Sequence, residues 1–354
     1  MGKRRFGVIL VAGVLLLSWF FISTGDAGAA SKVIKWKMQY HIPNVAPIGP
    51  YGPNMFHWSI FKRWADVLTK ATEGQLQFEW LEPNAAFPDP EGLSAVGSGI
   101  VEACFTQPSY FIGQIPEQYV ANGLPLAWDS IEEMYDAWYN YRLIDKMAPL
   151  FEKRGVIMFP TMTMEYMNIH ANFPVPGPEA VKGKKIRTWG QWGDYVKMLG
   201  GVPVPIPYAE TYMALKLGTV DGAWTGAQSL ETHKLKEVVK HFVTNKTGAI
   251  NAILINKKAF DALPANIKTL IMEATPSLLV PGCIDLVQHQ SYAIGKAVNE
   301  GFIKTWHWSA ADMQKVRQQA IKELWPALAK KAGPMGPELM QIILKQLKDH
   351  GKIQ

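Results

Sequence analysis

Arg187 has the plainest chemical use of any side chain in this sequence. It closes the run Gly183-Lys184-Lys185-Ile186-Arg187 and precedes Thr188-Trp189. A guanidinium is planar, permanently charged and forked, so it can grip a carboxylate through two parallel hydrogen bonds. Such charge-assisted bonds contribute about 1.5–3 kcal/mol each. The run reads as a short strand, and the loop after a strand is where α/β clefts hold ligands. A surface arginine paired with an acid is the competing reading, and the run alone leaves both open. Trp189, Trp192 and Trp224 flank the same region, and Tyr110 follows another expected strand. Aromatic walls around a few polar groups are what ligand pockets look like. With 13 tryptophans in the chain, core packing is the rival role for each. Gln107, Gln191 and Thr225 are candidate neutral hydrogen-bond partners for a ligand.

Signatures of catalysis are mostly missing. There is no His-Glu-x-x-His motif, no Walker loop and no paired-cysteine metal pattern. Gly97-Ser98-Gly99 lacks the spacing of a nucleophile elbow. No two histidines make a close ligand pair; His233 and His241 stand more than two turns apart on an expected helix. The best acid/base pair on offer is Glu165 with His170, which belongs to no motif. No catalytic residue, cofactor or metal is therefore expected. Cys104 and Cys283 could pair in an oxidising compartment or sit apart as buried thiols, and sequence does not decide.

The ends and the composition set the compartment. Lys3, Arg4 and Arg5 precede an uncharged apolar run from Val8 to Ile22, and Ala27-Gly28-Ala29 supplies small residues for cleavage. That order is a secretory signal peptide over residues 1–29, which places the mature chain in the periplasm. The mature part is longer than a typical single domain, so two lobes are expected. No second apolar run in it looks long enough to span a bilayer. Hydrophobic residues make up 48% of the chain, enough for a large core. The net charge of +6 is mild and scattered, which suits a small anionic ligand and gives no nucleic-acid stripe.

Several elements must position Arg187. Val33 to Tyr40 alternates like a strand, and Phe56 to Thr69 has helical spacing stopped by Glu73-Gly74. Leu76 to Trp80 is a second strand; a helix from Pro88 to Ser98 then leads through Gly99 to a third, Ile100 to Thr106. Strand, helix, strand implies a partly parallel sheet. Ser130 to Phe151 reads as one helix with Ser130 as cap and Glu133 in the capping-box position. Pro203 and Pro205 confine Val202 to Ile206 to a sheet edge. Ala252 to Ile255 is apolar and could return to the first lobe. Ala265 to Glu300 is helical, with a kink or break expected at Pro276 and Pro281. Two amphipathic helices, Ala310 to Lys331 and Pro337 to Asp349, close the chain.

The run ending at Arg187 is followed by Pro203-Val204-Pro205-Ile206-Pro207-Tyr208-Ala209-Glu210-Thr211-Tyr212-Met213-Ala214-Leu215 and then Gly218-Thr219-Val220-Asp221-Gly222. This order and spacing resembles the DctP-type solute-binding subunits of TRAP transporters. Weaker similarity covers Pro83, Leu93 to Ala103, Gln107-Pro108-Ser109-Tyr110 and Leu124-Pro125-Leu126. The resemblance implies a periplasmic-binding-protein-like α/β fold. Two lobes would flank a ligand cleft, with crossover strands and a long kinked or broken helix. Lobe I would comprise residues 30–163 plus about 250–285, and lobe II 164–249 plus about 286–354 with the C-terminal helices. It also implies a small organic acid held by Arg187, hinge closure, and delivery by a monomer to transporter membrane subunits. A ligand sensor feeding a signalling kinase would share these features.

This sequence departs from that pattern. Met167 stands where many relatives carry a second arginine. Asp221-Gly222 is followed by Ala223-Trp224-Thr225-Gly226, so no acid accompanies the tryptophan as in relatives that bind 2-oxo acids through a cation. Ala209 replaces a frequent helix-capping serine. The expected receptor is a one-arginine, metal-free, Trp-lined variant, with Met167, Trp189, Trp224 and Thr225 among its ligand-binding residues.

Overall fold

The alternating run near the start of the described chain forms strand β1 (Ile34–Tyr40), which buries Trp36, Met38 and Tyr40. The computed structural model describes residues 32–40, 57–163, 167–244 and 247–353. The expected signal peptide, residues 41–56 and Glu165 lie outside these residues. From Val33 on, the chain packs as one compact unit containing two mixed sheets.

The first sheet runs β2 (Leu76–Leu81), β1, β3 (Ala103–Thr106), β10 (Ala249–Asn256), β4 (Val156–Thr163). The first three are parallel, as the strand–helix–strand pattern requires; β10 enters antiparallel to β3 and β4. All of β10 is buried, so the apolar stretch does return to the first sheet. The second sheet runs β11 (Lys304–Trp306), β9 (His241–Val243), β5 (Met167–Ala171), β8 (Gly222–Gly226), β6 (Lys185–Thr188), β7 (Val202–Pro205). The proline-bearing β7 lies at its edge, where missing N–H donors cost no ladder bond.

The chain passes between the sheets from β4 to β5 and again from β9 to β10. The helix Ala265–Asn299 also touches both. Near its start, the Trp64 indole donates to Thr275 at 2.9 Å. Near its end, Gln290 donates to Gln228 at 3.3 Å, and Lys296 pairs with Glu231 at 3.1 Å. This helix is continuous through Pro276 and Pro281 rather than broken. It is also long and apolar enough to cross a membrane by length and composition, contrary to the sequence expectation. Its buried Thr275, His289 and Gln290 anchor it in the fold, although only 31% of its most apolar window is buried.

Two other expectations change. Ser130 caps its helix by accepting from the Glu133 N–H at 3.2 Å, but the helix does not run unbroken to Phe151. Arg142 adopts a left-handed φ of 62, and a new helix, Leu143–Glu152, starts after it. His233 and His241 share no helix, since His241 opens β9. Cys104 and Cys283 are separate buried thiols. The C-terminal helices close against the segment around residues 118–136. The Trp325 indole donates to the Pro125 carbonyl at 3.0 Å, and the Trp128 indole to Gln346 at 2.9 Å.

Candidate functional site

Strand order brings the ends of several strands to one place. The first residues of β10 lie beside the ends of β3 and β4, with Ala252 opposite Thr106 and Asn251 opposite Thr161. In the second sheet Met167, opening β5, pairs with Gly226, ending β8. The two sets meet through side chains. Thr247 donates to the Met167 carbonyl at 2.6 Å, and Gln191 donates to the Gly123 carbonyl at 3.4 Å. Gly190, with φ of +58, lies so near Ser109 that a Cβ there would stand 3.1 Å from the serine Cβ. Only glycine combines that backbone angle with that approach.

Arg187 sits at this junction, near the end of β6, and is only 5% exposed. Its Nε donates to the Ile206 carbonyl at 2.8 Å, and its Nη1 reaches the Trp224 carbonyl at 3.4 Å. It also hydrogen-bonds the Tyr110 hydroxyl, and its guanidinium lies 5.7 Å from the centre of the Tyr208 ring. No carboxylate pairs with it among the described residues. Burial lowers its pKa, which measures how poorly the site tolerates an unpaired cation.

A layer of neutral groups surrounds the guanidinium. Tyr110 is pushed up to about 12 by burial, so its phenol stays protonated. The backbone N–H of Tyr208 also bonds to it, and its ring packs edge-on against Trp189 at 5.0 Å. Behind Tyr208, its hydroxyl meets Ser229 at 2.8 Å, and Ser229 meets Thr225 at 3.1 Å. His233 packs on the Tyr208 ring at 4.0 Å; burial, helped by the charge of Arg187, holds it down at about 4. This imidazole is therefore uncharged at neutral pH and adds no second cation.

The strand register sorts the aromatic candidates. Arg187 stands beside Ala223, and paired residues share a sheet face. Alternation places Thr225 and its partner Asn168 on that face, and Trp224 on the other. There Trp224 stacks on Trp192 at 5.1 Å and meets Tyr195 at 5.0 Å. Tyr110 and Tyr208 are thus the aromatic side chains beside Arg187, Trp189 packs against Tyr110, and Trp224 contributes its carbonyl. Gln107 is half-buried at the start of the turn that carries Tyr110, and Met167 is buried at the start of β5.

Several of the elements that meet here carry buried polar atoms without hydrogen-bond partners among the described residues. They belong to buried Ser109, Asn122, Thr161, Asn168, Thr188 and Gln191. Each such group costs about 1–3 kcal/mol if left unsatisfied. Sequence reasoning singled out Gln191 but missed Asn168 and Thr188, and it missed the supporting Tyr208 and Ser229. Asn168 flanks Met167 and pairs with Thr225, and strand alternation was the signal that could have found it; Thr188, next to Arg187 on β6, alternates to the other face. A cavity of about 870 Å³ lies elsewhere, between the C-terminal helices around Met313, Arg317 and Leu344. The described residues contain no cluster of three or more metal-ligating side chains.

Two mixed sheets with a buried guanidinium at their junction, unpaired among the described residues, define a two-lobed periplasmic-binding-protein-like fold. The profile of bacterial extracellular solute-binding protein family 7 matches residues 54–332, and the chain belongs to that family. A solute-binding protein of Albidiferax ferrireducens is 25% identical over 64% of this chain and 68% of its own. The C4-dicarboxylate-binding periplasmic protein of Rhodobacter capsulatus is 25% identical over 65% of this chain and 68% of its own. A solved TRAP periplasmic solute-binding protein of Rhodoferax ferrireducens, with bound malonate, superposes with a TM-score of 0.79. It shares 20% identity, over 90% of this chain and all of that one.

Proposed function

We propose that this chain is the extracytoplasmic receptor of a TRAP-type transporter, capturing a small organic acid between its lobes. One observation carries the reading: Arg187 is buried without a carboxylate partner among the described residues. Removing an ion from water costs several kcal/mol, and an anionic ligand offsets that cost. The Arg187 donors not engaged by Ile206 and Trp224 take the carboxylate. The protonated Tyr110 phenol, with Thr225, Gln191 and Gln107, contributes neutral hydrogen bonds. Trp189 and Met167 supply apolar wall, and Trp224 holds Arg187 through its carbonyl. The relatives named for a C4-dicarboxylate and for malonate support an acid as ligand.

The lobes in this reading are residues 30–163 with about 250–285, and 164–249 with about 286–354. The segments joining β4 to β5 and β9 to β10 act as the hinge, and the ligand stabilises the closed arrangement by its higher affinity for it. The chain works as a metal-free monomer without enzymatic activity. It is exported by a cleaved signal peptide over residues 1–29 and hands its ligand to the membrane subunits. A thermal-shift screen of the purified mature chain against organic acids tests this. A concentration-dependent rise in Tm that is lost in Arg187→Ala is expected. Turnover of an acid, or a rise that survives the substitution, would overturn it.

A further inference from the structure

The hydroxyl protons around Ser229 have fixed directions. Ser229 donates to the Gly226 carbonyl at 2.7 Å. A hydroxyl carries one proton, so the same oxygen accepts from its other two neighbours. Tyr208 therefore donates to Ser229 at 2.8 Å, and Thr225 donates to it at 3.1 Å. The Thr225 proton is thus committed, which leaves its Oγ1 with only lone pairs to offer. Thr225 and Ser229 are both buried, so the arrangement is held away from bulk water.

Asn168 stands opposite Thr225 across the β5–β8 pair. Opposed residues of such a pair have Cβ atoms about 4.5–5.5 Å apart on one face. Asn168 is 2% exposed, and its Nδ2 donor has no hydrogen-bond partner among the described residues. An unused donor and an unused acceptor therefore lie side by side. Both share the face of Arg187, which stands beside Ala223, two residues before Thr225. The guanidinium bonds the Trp224 carbonyl at 3.4 Å and lies 5.7 Å from the ring of Tyr208, whose hydroxyl belongs to the Ser229 chain. No second cation is buried with it: among the described buried residues Arg187 is the only arginine, lysine, aspartate or glutamate. His170, opposite Ala223 in the same row, is held down at about 3 by burial and stays neutral.

We propose that the cleft selects an organic acid bearing a neutral amide, with its carboxylate on Arg187, its amide carbonyl on Asn168 and its amide N–H on Thr225. This rests on the receptor reading and narrows its ligand class. An amide presents an acceptor and a donor together, which matches a donor beside an acceptor. A second carboxylate presents only acceptors. It would meet the Thr225 oxygen lone pair to lone pair, with no cation to compensate its charge. An alkyl group leaves the Asn168 donor unsatisfied.

Calorimetric titration with near-isosteric sets of three chain lengths tests the idea. The sets are malonamate, malonate and 3-methylbutanoate; succinamate, succinate and 4-methylpentanoate; and glutaramate, glutarate and 5-methylhexanoate. In at least one set the amide acid should bind the intact mature chain tenfold or more tightly than both partners. Asn168→Leu, which keeps the size and removes the donor, should erase its advantage over the alkyl acid. Thr225→Val, which removes the acceptor, should narrow its advantage over the diacid. Urea midpoints of both variants verify folding. Amide acids favoured in none of the sets, or a folded variant that keeps the full preference, would overturn the proposal. A diacid or alkyl acid that binds more tightly, and is lost in Arg187→Ala, would leave the receptor reading intact and refute only the amide.

Discussion

Tyr110, in the turn after β3 of the first sheet, hydrogen-bonds Arg187, on β6 of the second. A single contact thus joins the first sheet's side of the fold to the proposed anion anchor. In the proposed complex its phenol, which accepts from the guanidinium, offers its own proton to a ligand oxygen. Tyr110→Phe keeps the ring against Trp189 and removes that hydroxyl. Loss of one such bond should weaken carboxylate binding by about fivefold to tenfold, near 1–1.5 kcal/mol. Calorimetry of a ligand found in the screen checks this; unchanged affinity would remove Tyr110 from the binding groups.

Arg187→Ala should reduce affinity by about a hundredfold or more, since two charge-assisted bonds are lost at about 1.5–3 kcal/mol each. The ligand-free protein should stay folded, because the substitution also removes an uncompensated buried cation. Urea denaturation without ligand separates these effects. A collapse of ligand-free stability would mean that Arg187 is chiefly structural.

Trp224→Ala addresses a different role. Its ring packs on Trp192 and Tyr195, on the sheet face opposite Arg187. A cavity of that size costs about 3–5 kcal/mol of stability. Denaturation should reveal that loss, and affinities for bulky and small acids should shift together. A loss confined to bulky acids would restore Trp224 as a selectivity wall.

The pH dependence of stability has a defined sign. Burial holds His170 down at about 3, and burial with the Arg187 charge holds His233 at about 4. Both are neutral in the fold, but the unfolded chain protonates them below about pH 6.5. The unfolded state then binds more protons, so their contribution lowers stability as pH falls from about 6.5 toward 4. Asp89, raised to about 7, acts oppositely: the fold keeps a proton that an unfolded aspartate has lost. Its contribution therefore grows as pH falls from about 7 to 4. Relative to wild type, His233→Gln should flatten the loss of stability on acidification, and Asp89→Asn should steepen it. Urea midpoints across that range would expose parallel profiles, which would contradict both shifts.

The sequence by itself determined whatever depends on neighbours in the chain. Alternation gave β1 and β2, prolines put β7 at an edge, and Ser130 was readable as a cap. The motif around Arg187 marked a candidate anchor because a guanidinium before a loop has few uses. Continuity of the helix through Pro276 and Pro281 was misread. Its contacts at Thr275 and Gln290 to both lobes hold together a segment that local rules would interrupt.

Only the tertiary structure decided what surrounds Arg187. The alternation of Trp224 and Thr225 is local, but the register that puts Ala223 beside Arg187 is not. That register sends the Trp224 ring away from the guanidinium and brings Thr225 and Asn168 to its face. Tyr110 reaches the site from another sheet, through pairing and packing between residues far apart in the chain. Short-range periodicity carries no information about such closures, because it fixes which face a side chain takes but not which strand end it will meet.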